Sequence, residues 1–323
     1  MARRAWTHDQ LVAGVRGGDR RAVARAITLV ESRDSGALAL LEALYPETGS
    51  TFAVGVTGPP GAGKSSLIGA LIGHVRGLGL SVGVISVDPS SPFTQGALLG
   101  DRIRLADHFL DPGVFIRSMG ARGHLGGLAE TTLQSLLLLD AAGCDVVFLE
   151  TVGAGQSEVE VMSVADEVLL VLMPGSGDSV QALKAGIMEI PDVIAVNKMD
   201  QPGAKGLQND IRGVLALDPA AAWRPPIVLT EAHRGEGVAE LWNALVERRD
   251  ALAAAGDLER RRRGNLAGEV VAAAAARALG AIERAIVEDA ELAALVDAVQ
   301  RREVDPLTAA DRIAASVIRE GRW

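Results

Sequence analysis

The chain has 323 residues, 48% of them hydrophobic, and its 32 lysines and arginines against 41 aspartates and glutamates give a formal charge of −9. That length buries a large core and suits one big α/β domain with helical additions or two domains, while the acidic balance argues against a nucleic acid or an anionic membrane as partner. A single cysteine, Cys144, excludes an intramolecular disulfide and a cysteine-based metal site within one chain, and with 3% aromatic residues stacking platforms for bases are scarce.

The segment Met1–Trp6 lacks the apolar core of a signal peptide, and no stretch is apolar for long enough to cross a bilayer, so the cytoplasm is the expected location. Residues 1–50 are predicted to form a helical N-terminal extension. Thr7 and Gln10 have capping-box spacing ahead of Leu11, Val12 and Val15, and Asp19 precedes a second amphipathic run through Ala22, Val23, Ala26, Ile27 and Val30.

From 51 to 250, short Val/Ile/Leu-rich runs at 52–57, 81–87, 114–117, 145–150, 167–172, 192–197 and 226–230 alternate with helical stretches. The pattern predicts an α/β fold with a mostly parallel central sheet, covered on both faces and binding its ligand at the C-terminal ends of the strands. The first of these runs leads directly into Gly58-Pro59-Pro60-Gly61-Ala62-Gly63-Lys64-Ser65-Ser66 and then a helical pattern, which is the spacing of a phosphate-binding loop in a P-loop NTPase core. Glycines let the backbone curl so that N–H groups converge on phosphate oxygens, and the helix N-terminus adds positive potential. Gly58, Pro60, Gly61, Ala62, Gly63, Lys64, Ser65 and Ser66 are the expected contacts. Lys64 is placed at the β and γ phosphates and Ser65 on Mg2+.

Three carboxylates at strand or helix ends are candidates for direct or water-mediated Mg2+ binding and for catalysis beside Lys64: Asp88, Asp101 and Glu150. Gly153 is positioned to sense the γ phosphate through its backbone, and the following segment through Gln156 is expected to move when that phosphate leaves. The offset of Gln156 differs from the usual small-GTPase arrangement, so it is read as a switch residue rather than the catalytic one. Asn197-Lys198-Met199-Asp200 follows the strand Val193–Val196 and favours GTP over ATP. A buried carboxylate at Asp200 can accept from guanine N1–H and the 2-amino group, whereas adenine would leave it unpaired. The loop Leu229-Thr230-Glu231-Ala232 is expected to bring backbone N–H groups to the guanine oxygen. A Gly-Ser-Gly turn at 175–177 leads into Asp178, Gln181, Lys184 and Glu189, polar positions at a helix start beyond another strand end.

After about residue 250 the pattern is helical only, giving a C-terminal segment over 251–323 that is either a buttress or a dimerisation arm. Arg260-Arg261-Arg262-Arg263 reads as a solvated helix end or a partner contact rather than an RNA site. An Ala-rich helix is predicted from about 266 to 287, then Leu292, Leu295, Val296 and Val299 at helical spacing, then a helix with Pro306 in its first turn.

The segments GVTGPPGAGKSSL (55–67), VDPSSPFTQGALLGDRIRL (87–105), ETVGAGQSEVEV (150–161) and PGSGDSVQALKAGIMEI (174–190) closely resemble the MeaB/ArgK-type GTPases, the chaperones associated with methylmalonyl-CoA mutase. The likeness runs over nearly the whole chain. It implies a GTP/GDP- and Mg2+-dependent GTPase that binds an adenosylcobalamin-dependent acyl-CoA mutase, gates loading of intact cofactor and helps remove damaged cofactor. It also implies a homodimer held by the C-terminal helices and an additional switch loop over 174–190, with Gln181 and Lys184 as signalling residues. Gln95 stands where the family commonly has glycine, and Glu231-Ala232 replaces the more usual Ser-Ala. No residue set is read as binding cobalamin alone. Among alternatives, a nickel metallochaperone GTPase needs soft or imidazole ligands, and the histidines at 8, 74, 108, 124 and 233 form no tract. A kinase of amino-acid transport needs an acceptor-binding base and groove, and neither is found in the sequence. A nucleotide-controlled scaffold with negligible turnover is the third alternative.

Overall fold

The computed structural model describes residues 6–32, 34–88, 105–120, 127–151, 162–175, 191–217 and 223–319. The chain divides into two compact units, Met1–Asn265 and Leu266–Trp323.

The first unit is built on a seven-stranded sheet of β1 (Phe52–Thr57), β2 (Val82–Asp88), β3 (Val114–Gly120), β4 (Val146–Thr151), β5 (Glu167–Leu172), β6 (Val193–Val196) and β7 (Ile227–Leu229). Their order is β3-β2-β4-β1-β5-β6-β7 and every pair is parallel. Each predicted run became a strand, with ends displaced by a few residues at most. β1, β4, β5 and β6 are buried at every position, as a parallel sheet covered on both faces requires.

Alternate residues of the strands face two helical layers. Ala53, Ile85, Val147 and Leu149 pack with the N-terminal helices α1 (His8–Arg16), α2 (Arg20–Glu31) and α3 (Gly36–Leu44). Val54, Val56, Val84 and Phe148 face the other way, onto α4 (Lys64–Gly77). Residues of α5 (Gly127–Ala141) join the first layer, those of α7 (Val238–Ala254) the second, and α6 (Ala204–Leu215) covers β6 and β7 through Leu207 and Ile211. The capping box at Thr7 forms, and Asp19 caps α2 through the N–H groups of Arg21 and Ala22. Arg117 of β3 pairs with Glu31, so charge as well as apolar burial ties the N-terminal helices to the sheet.

The arginine run departs from its sequence reading. Gly256, with φ +69°, breaks α7 from α8 (Asp257–Glu288), so the run lies inside the first turns of a long helix, with Arg260 and Arg263 exposed and Arg261 and Arg262 half-buried against the sheet. Arg261 donates to both Asp192 oxygens (2.7 and 3.1 Å), and Arg248 of α7 donates to the same carboxylate at 3.0 Å. Arg262 makes a two-point contact with Asp166 at 2.6 and 2.7 Å and reaches the Thr51 carbonyl at 2.8 Å. Asp166 and Asp192 also accept the N–H groups of Ala53 and Val168, at the N-terminal edge of β1 and β5. Buried carboxylates so engaged require cations, and the three arginines supply them. Glu167 sits among these groups fully buried, with neither oxygen hydrogen-bonded within the described residues. Burial, and next the charge of Asp192, pushes its carboxyl up to about 9 against the pull of Arg248 and Arg261.

In the second unit the rest of α8, α9 (Ala290–Gln300) and α10 (Pro306–Arg319) enclose a small core of Ala281, Ala285, Leu292, Ile313 and Val317. Asp289 caps α9, and Asp305 accepts the N–H groups of Leu307 and Thr308 around Pro306, the predicted helix start. Val270, Val271, Leu279, Val287 and Leu307 are exposed on this unit. Among the described residues no helix is long and apolar enough to cross a membrane.

Candidate nucleotide-binding site

Among the described residues, most buried polar side chains of the first unit gather at the two ends of the sheet, Thr132 and Ser135 inside α5 being exceptions. Those at the N-terminal edge form the arginine cluster. At the opposite edge are Thr57, Lys64, Ser65, Ser86, Glu150, Thr151, Asn197, Thr230 and Glu231, where ligands of open parallel sheets bind.

The loop from Gly58 to Gly63 joins β1 to α4, whose first N–H groups lack intrahelical acceptors. Gly58 passes so close to the Val171 carbonyl that a Cβ would collide with it. Gly63 has φ +89°, and a Cβ there would lie 2.5 Å from Asn197 Nδ2. Any larger residue would fill the space in which the two loops meet. Pro60 and Gly61 form the exposed crest, Ala62 is buried, and Gly63 and Ser66 are partly exposed. Lys64 is buried and folded back over this crest, its Nζ donating to the carbonyls of Gly58 (2.6 Å) and Pro59 (3.3 Å). A cation held by loop carbonyls can exchange them for phosphate oxygens without leaving the site.

Ser65 Oγ donates to Glu150 Oε1 at 2.5 Å, and Ser86 Oγ donates to Glu150 Oε2 at 3.1 Å. The sheet register explains this grouping, because Glu150 on β4 stands opposite Val56 of β1 and Ser86 of β2. A serine hydroxyl backed by a buried carboxylate is a set of hard oxygen donors and fits Mg2+ held largely through water. Asp88 ends β2 at the same edge, paired with Gly120. Asp101, Gly153, Gln156, Asp178, Gln181 and Lys184 lie outside the described residues, as do Gln95 and His124.

On the other side of the loop, Asn197 is a strut. Its Nδ2 donates to the Ala62 carbonyl (2.9 Å), and its Oδ1 accepts from Thr230 Oγ1 (3.2 Å) and the Ala232 N–H (3.3 Å). Lys198, at φ +57°, sends its Nζ to the Gly61 carbonyl at 2.8 Å and to Met173 Sδ at 3.3 Å. Three loops, after β1, β6 and β7, are thereby joined. Asp200 is exposed at the end of its loop, where a base that covers it would desolvate its carboxylate. One expectation needs correction. The N–H of Glu231 is taken by the Glu236 carbonyl at 2.9 Å, and the Glu231 carboxylate accepts from the N–H groups of His233 and Arg234, capping its own turn. Of Glu231 and Ala232, only Ala232 holds its N–H in a long bond that a ligand oxygen can displace.

Sequence reasoning missed Ser86, the Thr230 hydroxyl and Met173. Ser86 carries a signal in retrospect, a hydroxyl interrupting the apolar run Val84-Ile85-Ser86-Val87. Cys144, half-buried just before β4, has its thiol pushed up to about 12 by burial and then by Asp145 and Asp140.

The family described as Methylmalonyl Co-A mutase-associated GTPase MeaB matches residues 23–285. A protein of Pyrococcus abyssi is 46% identical over 317 residues, spanning 97% of this chain and 98% of that protein. The mitochondrial methylmalonic aciduria type A homolog of Mus musculus is 34% identical over 273 residues, 79% of this chain and 66% of that protein. A crystal structure described as LAO/AO transport system kinase superposes with a TM-score of 0.71 at 28% identity, covering 98% of this chain and 99% of that one. A parallel sheet with the phosphate loop after β1, the Asn197–Asp200 loop after β6 and this extent of sequence likeness lead to one conclusion: the chain is a GTP-hydrolysing protein of the MeaB family of methylmalonyl-CoA mutase-associated GTPases.

Proposed function

We propose that this GTPase is a chaperone for an adenosylcobalamin-dependent acyl-CoA mutase, with methylmalonyl-CoA mutase the leading client, gating entry of intact cofactor and helping to discharge damaged cofactor. The observation that carries the reading is the joined set of loops at the C-terminal edge of the sheet, where Lys64, Ser65, Glu150, Asn197 and Lys198 converge. The family description as mutase-associated supplies the class of client.

In this reading the phosphates lie on the N-terminus of α4, cradled by Gly58 and by Pro60 through Ser66. Lys64 moves from the Gly58 and Pro59 carbonyls to the β and γ phosphates and stabilises charge that develops during transfer. Ser65 would ligate Mg2+ directly, and Glu150, Asp88 and Asp101 would bind it directly or through water. Bound Mg2+ would supply neutralisation of phosphate charge. Asp200 selects guanine, Lys198 and Asn197 hold the loop on which it sits, and Ala232 turns its N–H to the guanine oxygen. Gly153 and Gln156, then Asp178, Gln181 and Lys184, report loss of the γ phosphate to the client.

Residues 1–50 serve as a helical extension, 51–250 as the GTPase domain and 251–323 as the dimerisation arm of a cytoplasmic homodimer. The exposed apolar side chains at Val270, Val271 and Leu279 support that use of the arm. Cobalamin is carried by the client, not by this chain alone. Sedimentation velocity of the purified protein with the mutase, in GDP and in a non-hydrolysable GTP analogue, tests the reading. A complex whose affinity depends on the nucleotide is expected, and no complex in either state would refute it. The solved neighbour described as a kinase favours a second reading, transfer of the γ phosphoryl group to an acceptor in transport. Label from γ-labelled GTP appearing only in inorganic phosphate would dispose of it.

A further inference from the structure

Met173 is the first residue beyond β5, the strand lying between β1 and β6. It therefore stands between the phosphate loop that follows one neighbour and the Asn197–Asp200 loop that follows the other. Its methyl is 3.6 Å from the position a Cβ would take at Gly61, and its Sδ is 3.3 Å from Lys198 Nζ. The same ammonium donates to the Gly61 carbonyl at 2.8 Å. Lys198 Cε lies 4.0 Å from the Cβ position of Gly63, so the lysine stem runs along the loop from Gly63 to Gly61. Lys198 also holds a left-handed backbone, which for a side chain of this size persists only where the surroundings fix it.

We propose that Met173 is a positioning residue for the guanine side of the site, a role that rests on the nucleotide reading given above. Its sulfur and the Gly61 carbonyl hold the Lys198 ammonium from two directions, which lays the lysine stem along the loop as a fixed apolar surface beside the base position. Among the described residues these two acceptors take two of the three ammonium hydrogens, and the third remains for a ligand oxygen. A thioether suits the task because it is a weak acceptor that orients a cation without neutralising it. An apolar residue of the same volume fills the space and gives no direction to the ammonium.

The test compares Met173→Leu with Met173→Gln, which places an amide oxygen at similar reach. Binding of a fluorescent GDP analogue and steady-state GTP kinetics are measured beside thermal unfolding. Met173→Leu should raise the dissociation constant and KM by about three- to tenfold, the scale of one weak charge-assisted contact, with kcat changing less. Met173→Gln should return both to within about twofold of the parent, whatever it does to the melting temperature. Unchanged affinity in Met173→Leu, or equal loss in both variants together with equal loss of melting temperature, would overturn the proposal in favour of plain packing. Lys64→Ala separates the two levels. If it weakens binding by about tenfold or more while Met173→Leu does nothing, only the role of Met173 falls; if it too binds as the parent does, the nucleotide reading falls with it.

Discussion

Replacing Glu167 by glutamine should stabilise the protein at neutral pH, although the change removes an acid from a cluster rich in arginine. The carboxyl is fully buried, accepts and donates no hydrogen bond within the described residues, and titrates at about 9 instead of 4.5. Between those values the folded protein retains a proton that the unfolded chain has released. The stability linked to this group is therefore complete below pH 4.5 and is lost as pH rises toward about 9. At about 1.4 kcal/mol per pH unit, the loss is about 3 kcal/mol by pH 7 and about 6 kcal/mol by pH 9. Glutamine has nearly the same shape and no titration, but its buried amide brings donors of its own, which cost about 1–2 kcal/mol if unmet. A net gain of about 1–2 kcal/mol at pH 7 follows, growing at higher pH and vanishing or reversing near pH 4.5. Urea unfolding followed by circular dichroism across this range gives both the offset and the slope. A variant that is less stable at every pH and keeps the parent's slope would mean instead that Glu167 is ionised in the folded protein and stabilised by Arg248 and Arg261.

Lys64→Ala should weaken GDP and GTP binding by about ten- to a hundredfold, the scale of a buried charge-assisted contact, as read by calorimetric titration. Asp200→Asn should reduce the preference for GTP over ATP by about tenfold or more while leaving the fold intact, because Asp200 is exposed; competition binding with the two nucleotides checks this. Glu150→Gln removes the negative charge behind Ser65 and should raise the Mg2+ concentration needed for half-maximal hydrolysis by about tenfold. Native Cys144 should react with a disulfide reagent at pH 8 far more slowly than after unfolding, since its thiol loses a proton only at about 12.

The phosphate loop and the strand order around it were legible because the chemistry is local. Gly58 to Ser66 must occur in one run for the backbone to curl round a phosphate, and a buried parallel strand announces itself as an unbroken apolar stretch. The roles of Arg261 and Arg262 were hidden because their partners are distant in sequence. Arg262 meets Asp166 across 96 residues, and Arg261 meets Asp192 across 69. A run of arginines gives the same pattern on a solvated face and in a buried clamp until those carboxylates are brought beneath it. Ser86 and Glu150 were separable for a similar reason, their pairing depending on the register of β2 with β4. Asp200 is a different case, because its loop at a strand end is legible in the motif, whereas burial of its carboxylate depends on a base and not on the chain alone.

GTP hydrolysis by the purified protein, measured with and without the adenosylcobalamin-dependent acyl-CoA mutase encoded in the same genome and with ATP as the control nucleotide, decides whether the mutase is the client. Turnover selective for GTP and raised by the mutase is expected. Turnover selective for GTP but indifferent to the mutase at saturating concentration would contradict the chaperone assignment and leave the GTPase without this client.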